Sequence, residues 1–409
     1  MTDVSEANRK VIRITSDGLL LCFSAFFADL GYQGVSALFP LYLVFVLHEP
    51  IYWYGVITGV AFGAGSFFAY LGGLAGDRFD KKYIAIAGNL FIPLMAFSGL
   101  AGSLWLSALL FILGWWARYF RTPARRALLT HVTPKEHRGY TFGVLHALDI
   151  GGGMLSAFVA LLFLALGTPL PEILLFAAIP LVVSTLLLVP VRRRTLFQEE
   201  TPLAGSEAGI GAPKADRTLF VLLLVAATLY GFSFYNLGFP VLTATGGRGA
   251  TSGYELGVLA FVIYLGVSAV SGYALGAMKL SPLRALWLLG YLPSALGSGL
   301  MALCVFFKLH ELAFYLFVAV LGLGMGAVET FEPTLVSSLA PAARLSRGMG
   351  FLSVSRSIGQ FISNLVMGVL FSVSGFAPYA YACASALLAT GVLGVAEARR
   401  ASRWGRGAR

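Results

Sequence analysis

Apolar stretches of about 20 residues, each long enough as a helix to cross a hydrocarbon layer of roughly 30 Å, recur along nearly the whole chain. They fall at 17–46, 52–75, 83–101, 104–130, 140–166, 171–190, 218–244, 254–277, 284–306, 311–339, 347–373 and 377–396. Polar residues otherwise come in short turns, apart from the two ends and the segment 192–217. Strand is excluded for these runs, because an open strand leaves its N–H and C=O groups unsatisfied in lipid. The pattern therefore predicts an all-α polytopic membrane protein with twelve transmembrane helices. The polar start, "MTDVSEANRKVIRITSDG", precedes an apolar run too long for the core of a signal peptide, so the first helix is expected to stay attached.

Composition agrees with the pattern. The 409 residues are 58% hydrophobic and 12% charged, whereas a soluble domain is about a quarter charged. The net charge of +10 would fit a nucleic-acid binder, but its distribution does not. Lys and Arg lie in "NRKVIR", "DRFDKK", "PKEHR", at 192–194, in "KADR", at Lys279, Arg284, Arg344 and Arg347, and in the tail "ARRASRWGRGAR". All of these fall on one side of a twelve-span chain, and only Arg248 and Lys308 fall on the other. By the positive-inside rule both termini are expected in the cytoplasm, with the chain integral to a cell (inner) membrane. Cys22, Cys304 and Cys383 lie apart within apolar runs, without paired or metal-ligand spacing. There is no phosphate-binding loop, zinc-ligand helix or Ser-centred nucleophile elbow. Neither an enzyme, a cofactor nor a metal is expected.

The longest hydrophilic interruption, "RRRTLFQEETPLAGSEAGIGAPKADR" at 192–217, is rich in Gly, Pro, Ala and charge and reads as a flexible cytoplasmic linker. It divides the chain into six-helix bundles at 1–191 and 218–409, the second with a basic tail. The halves echo each other. "LGYQGVSALFP" at 30–40 and "YGFSFYNLGFP" at 230–240 both end in Phe-Pro, and "HRGYTFG" at 137–143 faces "SRGMGF" at 346–351. Ordered echoes across a symmetric split point to an internal repeat, and with it to two bundles around a central cavity.

Between the second and third runs, "GGLAGDRFDKK" at 72–82 resembles the signature loop of the major facilitator superfamily, Gly-x-Leu-x-Asp-Arg-x-Gly-Arg-Lys, with Gly73, Asp77, Arg78, Lys81 and Lys82 in matching slots. Asp80 replaces the usual Gly, and Asp is among the residues that tolerate a left-handed turn. Gly73 is expected to let two helices approach. Asp77 is placed to meet the positive N-terminus of a neighbouring helix, which the resemblance makes the eleventh, near Ser346–Gly348. The fourth and fifth runs, "RTPARRALLTHVTPKEHRGYTFGVLHALDIGG", are similar to the drug-antiporter-like branch. The Gly-Pro ending of that branch's fifth-helix motif is missing, and "DIGGGMLSAF" offers Ser156-Ala157 instead.

Charges inside the apolar runs are the candidate chemistry. Arg118 lies some eleven residues from the loop end of its run, about 16 Å at 1.5 Å per residue, which is close to the midplane. Arg121 lies about a turn nearer the cytoplasm, and Arg125 and Arg126 are close enough to snorkel into water. The same count puts Asp29, Asp149, Glu329, Glu332 and Arg356 well inside their helices. Each costs at least ~2.5 kcal/mol at the bilayer centre unless paired or wetted, so a polar interior is implied. Asp29, Asp149, Glu329 and Glu332 are candidate proton carriers, and His146 lies one turn before Asp149 on the same face. Arg118 and Arg356 are alternatively static partners of Asp149 and Glu329. Arg118, Arg121 and Arg356, with Tyr32, Gln33, Tyr235, Asn236, Gln360 and Asn364, are candidate substrate contacts, since the resemblance lines the cavity with the first and seventh helices.

The resemblance implies a proton-coupled secondary transporter that moves a small organic solute by alternating access, with efflux of amphipathic compounds as the first expectation. The missing Gly-Pro motif keeps open uptake of an organic anion held by the three arginines. A sensor or scaffold that kept the fold without coupling is the other class. The expected partners are a small-molecule substrate, protons and the bilayer, not nucleic acid, and one chain suffices for a pathway.

Overall fold

The computed structural model describes residues 14–134, 138–192, 217–278, 280–339 and 345–407, with side chains omitted at a few helix ends and at position 337. All regular structure among them is helical. In chain order the helices are α1 (Ser16–Val46), α2 (Ile51–Arg78), α3 (Lys81–Leu100), α4 (Leu104–His131), α5 (Arg138–Ala165), α6 (Leu170–Leu188), α7 (Thr218–Ala244), α8 (Thr251–Ala277), α9 (Pro282–Phe306), α10 (Glu311–Leu339), α11 (Leu345–Val373) and α12 (Ala377–Gly407). Eleven are long and apolar enough to cross a membrane. The other, α4, has 28 residues but carries Arg118, Arg121, Arg125 and Arg126 in its second half. The linker expected at 192–217 lies almost wholly outside the described residues.

Local chemistry explains the helix ends and their irregularities. Thr15 caps α1 by accepting from the Gly18 N–H at 3.0 Å. Asp80 caps α3 by accepting from the Lys82 N–H at 2.8 Å. Asp80 has φ −61° and ψ 120°, so the left-handed turn expected of it does not form. Its carboxylate instead supplies an acceptor that the usual Gly lacks. Prolines inside membrane helices leave carbonyls to be re-satisfied locally. The helical path widens to π geometry at Tyr42–Val46, just after Pro40, and again at Leu286–Tyr291, just before Pro293. α7 is interrupted over 234–237, ahead of Pro240.

Within the first six helices α1 packs along α5 and α6, and α4 along α2 and α3. Within the last six, α7 packs on α11 and α12, and α10 on α8 and α9. The groups are joined chiefly by α2 with α11, α5 with α8, and α1 with the second segment of α7. The α2–α11 crossing is backbone-close, since a Cβ on Gly55 would lie 2.4 Å from the Asn364 carbonyl oxygen and 2.8 Å from the Gly368 Cα.

In the last turns of α2 the close approach belongs to Gly72, not Gly73. A Cβ on Gly72 would fall 1.8 Å from the Phe120 carbonyl oxygen, whereas on Gly73 it would meet only Pro123 Cβ at 3.9 Å. Gly72→Val is therefore expected to force α2 and α4 apart and destabilise the protein by about 1–3 kcal/mol, as overpacking does. Gly73→Ala is expected to be near neutral. Thermal unfolding of the two purified variants checks the contrast, and equal midpoints would refute it.

Candidate functional site

Two charged clusters lie inside the helical body. In the first, the Tyr32 hydroxyl on α1 donates to Asp29 Oδ1 one turn earlier. Arg118 Nη2 on α4 donates to the same hydroxyl oxygen at 3.0 Å. The phenol thus links carboxylate and guanidinium without direct contact between them. The Arg118 guanidinium lies 4.4 Å from the centre of the Tyr32 ring, 4.9 Å from Trp115 and 5.7 Å from Tyr119, an arrangement that stabilises a desolvated cation. Asp29 Oδ2 and Arg118 Nε are buried without a hydrogen-bond partner.

In the second cluster, Arg356 on α11 holds two carboxylates of α10. Its Nη2 donates to Glu329 Oε1 at 2.7 Å, and its Nη1 stands 3.4 Å from Glu332 Oε2. Glu332 is wholly buried and also accepts from the Tyr291 hydroxyl at 2.6 Å. The Glu329 side chain is 52% exposed. The spacing of three residues puts both carboxylates on one face of α10, and one arginine offsets only one of the two charges. Tyr230 stacks flat on Tyr291 at 4.2 Å and shares a hydrogen bond with Ser294 at 2.9 Å, which holds the Tyr291 hydroxyl on Glu332. A cleft beside this cluster is lined by Tyr230, Phe234, Tyr235, Tyr264 and Met325.

Other candidates take different places. Asp149 pairs with Arg125, at 4.0 Å, rather than with Arg118. Arg125 is buried with Nε and Nη1 unpartnered, so it does not snorkel to water as the sequence predicts, while Arg126 is exposed. Arg121, only 1% exposed, turns to α3, where Nη1 donates to Asn89 Oδ1. Asn89 in turn donates to Ser184 and Thr185 of α6. Among the described residues Arg121 makes no hydrogen bond or ion pair with either cluster. His146 is exposed and makes no hydrogen bond or ion pair with Asp149. Gln33 lies against Gly153 of α5, 3.3 Å from where a Cβ would stand. Tyr235 is buried against Ser298, at 3.3 Å, and Met301.

Asn236 and Asn364 meet each other rather than open space. The Asn236 N–H, freed by the interruption of α7, donates to Asn364 Oδ1 at 3.1 Å. Thr58 of α2 donates to the same oxygen at 3.2 Å, and Tyr54 of α2 donates to Asn236 Oδ1. Asn364 Nδ2 is satisfied by the carbonyl of Gln360, which is half-buried. This buried network ties α2, α7 and α11 together toward the ends of α2 and α11 remote from the chain termini. At the opposite ends Asp77 and Arg78 are exposed, and Lys82 Nζ donates to the Val189 carbonyl at 2.7 Å, while Lys81 is half-buried. The contact expected between Asp77 and the beginning of α11 falls on side chains outside the described residues.

Tyr54, Thr58, Asn89 and Tyr291 were not singled out by the sequence. Thr58 follows Tyr54 by one helical turn and Asn89 is a lone amide in an apolar run, both readable signals of buried hydrogen bonding. Tyr291 carries no such signal.

The chain is similar to proteins of one large group. Residues 21–362 match the model of the Major Facilitator Superfamily. It is 26% identical over 57% of its length to an uncharacterized MFS-type transporter, MJ1317, of Methanocaldococcus jannaschii, spanning 58% of that protein. It is 32% identical over 31% of its length to the multidrug resistance protein MdtH of Proteus mirabilis, spanning 32% of it. Among solved structures, a POT family transporter in complex with a thioalcohol-conjugated peptide superposes with a TM-score of 0.73 at 13% identity, over 93% of this chain and 96% of the other. A D-xylose–proton symporter gives 0.70 at 14%, over 92% and 96%. With a family match that runs from α1 into α11, a fold shared over nine-tenths of its length and eleven helices long and apolar enough to cross a membrane, this chain belongs to the Major Facilitator Superfamily and is an integral membrane protein.

Proposed function

We propose that the chain is a proton-coupled secondary transporter that moves a small organic solute by alternating access. Its twelve membrane helices form two six-helix bundles, 1–191 and 218–409, joined by the cytoplasmic linker 192–217. The observation that carries this reading is the pair of charge clusters inside the helical body, Asp29–Tyr32–Arg118 in one bundle and Glu329/Glu332–Arg356 in the other. Each contains a carboxylate whose charge is incompletely compensated, and such groups inside a membrane mark substrate and proton pathways. The bundles meet toward the ends remote from the termini. With the termini cytoplasmic in a cell (inner) membrane, this form faces inward. The loop of Gly73, Asp77, Arg78, Lys81 and Lys82 closes the cytoplasmic side in the opposite state.

Proton exchange at Glu329 or Asp29 alters the pairing of Arg356 or Arg118 and so couples the proton to the solute. Asp149, with Arg125, is a further carrier. Efflux is favoured by the similarity to proteins named for multidrug resistance. Uptake of an anionic solute is the second reading, favoured by Arg118, whose side chain has a neutral phenol as its one hydrogen-bond partner among the described residues. A monomer is sufficient for either.

The test is a proteoliposome with an imposed pH gradient and an internal pH dye, screened against organic cations, anions and zwitterions. A transported solute is expected to collapse the gradient, with the sign giving direction. Glu329→Gln and Asp149→Asn are each expected to reduce the proton flux at least tenfold, about 1.4 kcal/mol. Solute flux without proton movement would refute coupling.

A further inference from the structure

The two clusters differ in what they lack. Arg118 has no carboxylate among the described residues within 4.0 Å of its nitrogens. Its guanidinium carbon lies over the rings of Tyr32 and Trp115, and Nε is buried without a partner. The N–H groups of a guanidinium form a fork that matches a planar carboxylate. Asp29, the nearest acid in the chain of contacts, reaches it only through the Tyr32 hydroxyl.

The opposite holds on α10. Two carboxylates share one arginine, Glu332 is wholly buried and fixed by Tyr291, and Glu329 is the half-exposed member. The vacant interaction there is for a cation. Both clusters look onto the same region: Tyr119 on α4, 5.7 Å from the Arg118 guanidinium, packs on Gly65 of α2, and Gly63, two residues before it, packs on Phe361 of α11, five residues after Arg356. The aromatic rings of Phe234, 5.4 Å from the Arg356 guanidinium, and of Tyr119 flank that region.

An organic cation alone would satisfy Glu329 and leave Arg118 facing a like charge. An organic anion alone would satisfy Arg118 and meet the excess of carboxylate on α10. We infer that the solute is a zwitterion, with its carboxylate on the edge of Arg118 and its ammonium on Glu329, spanning the two bundles. This deepens the transporter reading and rests on it. A solute with both charges draws the bundles together only when both ends are engaged, so either charge alone is a poor ligand.

The experiment uses the full-length protein in nanodiscs and a series of ω-amino acids with one to seven methylenes, together with the N-acetyl derivative of each (anion only) and its methyl ester (cation only). Binding is read by titration calorimetry. One chain length is expected to bind at least ~10-fold more tightly than both of its derivatives, the equivalent of 1.4 kcal/mol. Arg118→Ala is expected to bring the zwitterion down to the affinity of its ester, and Glu329→Gln to that of its acetylated form. Arg118→Lys, which keeps the charge, guards against misfolding and should retain the preference for the zwitterion. Equal binding of a derivative, or no binding by any member of the series, overturns the inference. Flux in proteoliposomes separates the two claims. Zwitterion-selective binding without flux would sink the transporter reading and leave the site, while flux of a singly charged derivative at the zwitterion's rate would sink the site alone.

Discussion

Replacing Arg118 by Ala is expected to abolish transport while leaving the protein in the membrane. Among the described residues the side chain makes a single hydrogen bond, to Tyr32, and it lies over the rings of Tyr32, Trp115 and Tyr119, so helix packing loses little. The solute loses a charge-assisted hydrogen bond worth about 1.5–3 kcal/mol, or roughly a 10- to 150-fold loss of affinity at 1.4 kcal/mol per decade. Asp29 simultaneously loses the cation to which the Tyr32 hydroxyl links it, and with it the pairing that coupling uses. Binding and coupling fail together. Arg118→Lys keeps the charge but not the fork, and it should restore a fraction of the rate. Uptake or efflux in proteoliposomes, normalised to the amount of inserted protein, measures both variants. Wild-type transport by Arg118→Ala would assign the charge to structure alone.

The helices were legible because length and apolarity are local properties of the sequence. The run predicted at 17–46 forms Ser16–Val46, and that predicted at 218–244 forms Thr218–Ala244. The ends were less so, since α2 continues through Gly76-Asp77-Arg78 and α12 through the basic tail to Gly407, where charge reaches water without unwinding the helix. α4 shows the same tension, being helical throughout yet too charged in its second half to rank with the other eleven. Depth counting located the buried charges but not their partners. Which of Arg118, Arg121 and Arg125 meets Asp149 depends on the rotation of α4 about its axis, and that rotation is set by packing on α2 and α3. Arg121 faces Asn89, a residue of α3 that only tertiary structure brings near. Asn236 and Asn364 stand 128 positions apart and share one hydrogen bond. Each amide read singly is indistinguishable from a substrate contact.

Arg356→Ala is the substitution with the largest expected effect on stability. It leaves Glu329 and Glu332 one turn apart on α10 with no cation, and Glu332, wholly buried, keeps only the Tyr291 hydroxyl. Breaking a buried ion pair by removing one partner costs about 3–5 kcal/mol, because the remaining charge is desolvated and unpaired. Glu332 can relieve this by taking up a proton, so the loss should shrink as pH falls and Glu332 becomes neutral. The same logic gives a rescue. Arg356→Ala combined with Glu332→Gln removes both members of the buried pair, leaves the amide a partner in Tyr291, and should recover more than half of the lost stability. Glu329→Gln should rescue less, since Glu329 is half-exposed and its charge is already partly solvated. Thermal unfolding of the three variants in detergent across a pH series orders them. Rescue by Glu329→Gln equal to that by Glu332→Gln would show that repulsion between the two carboxylates, and not burial of Glu332, is what Arg356 opposes.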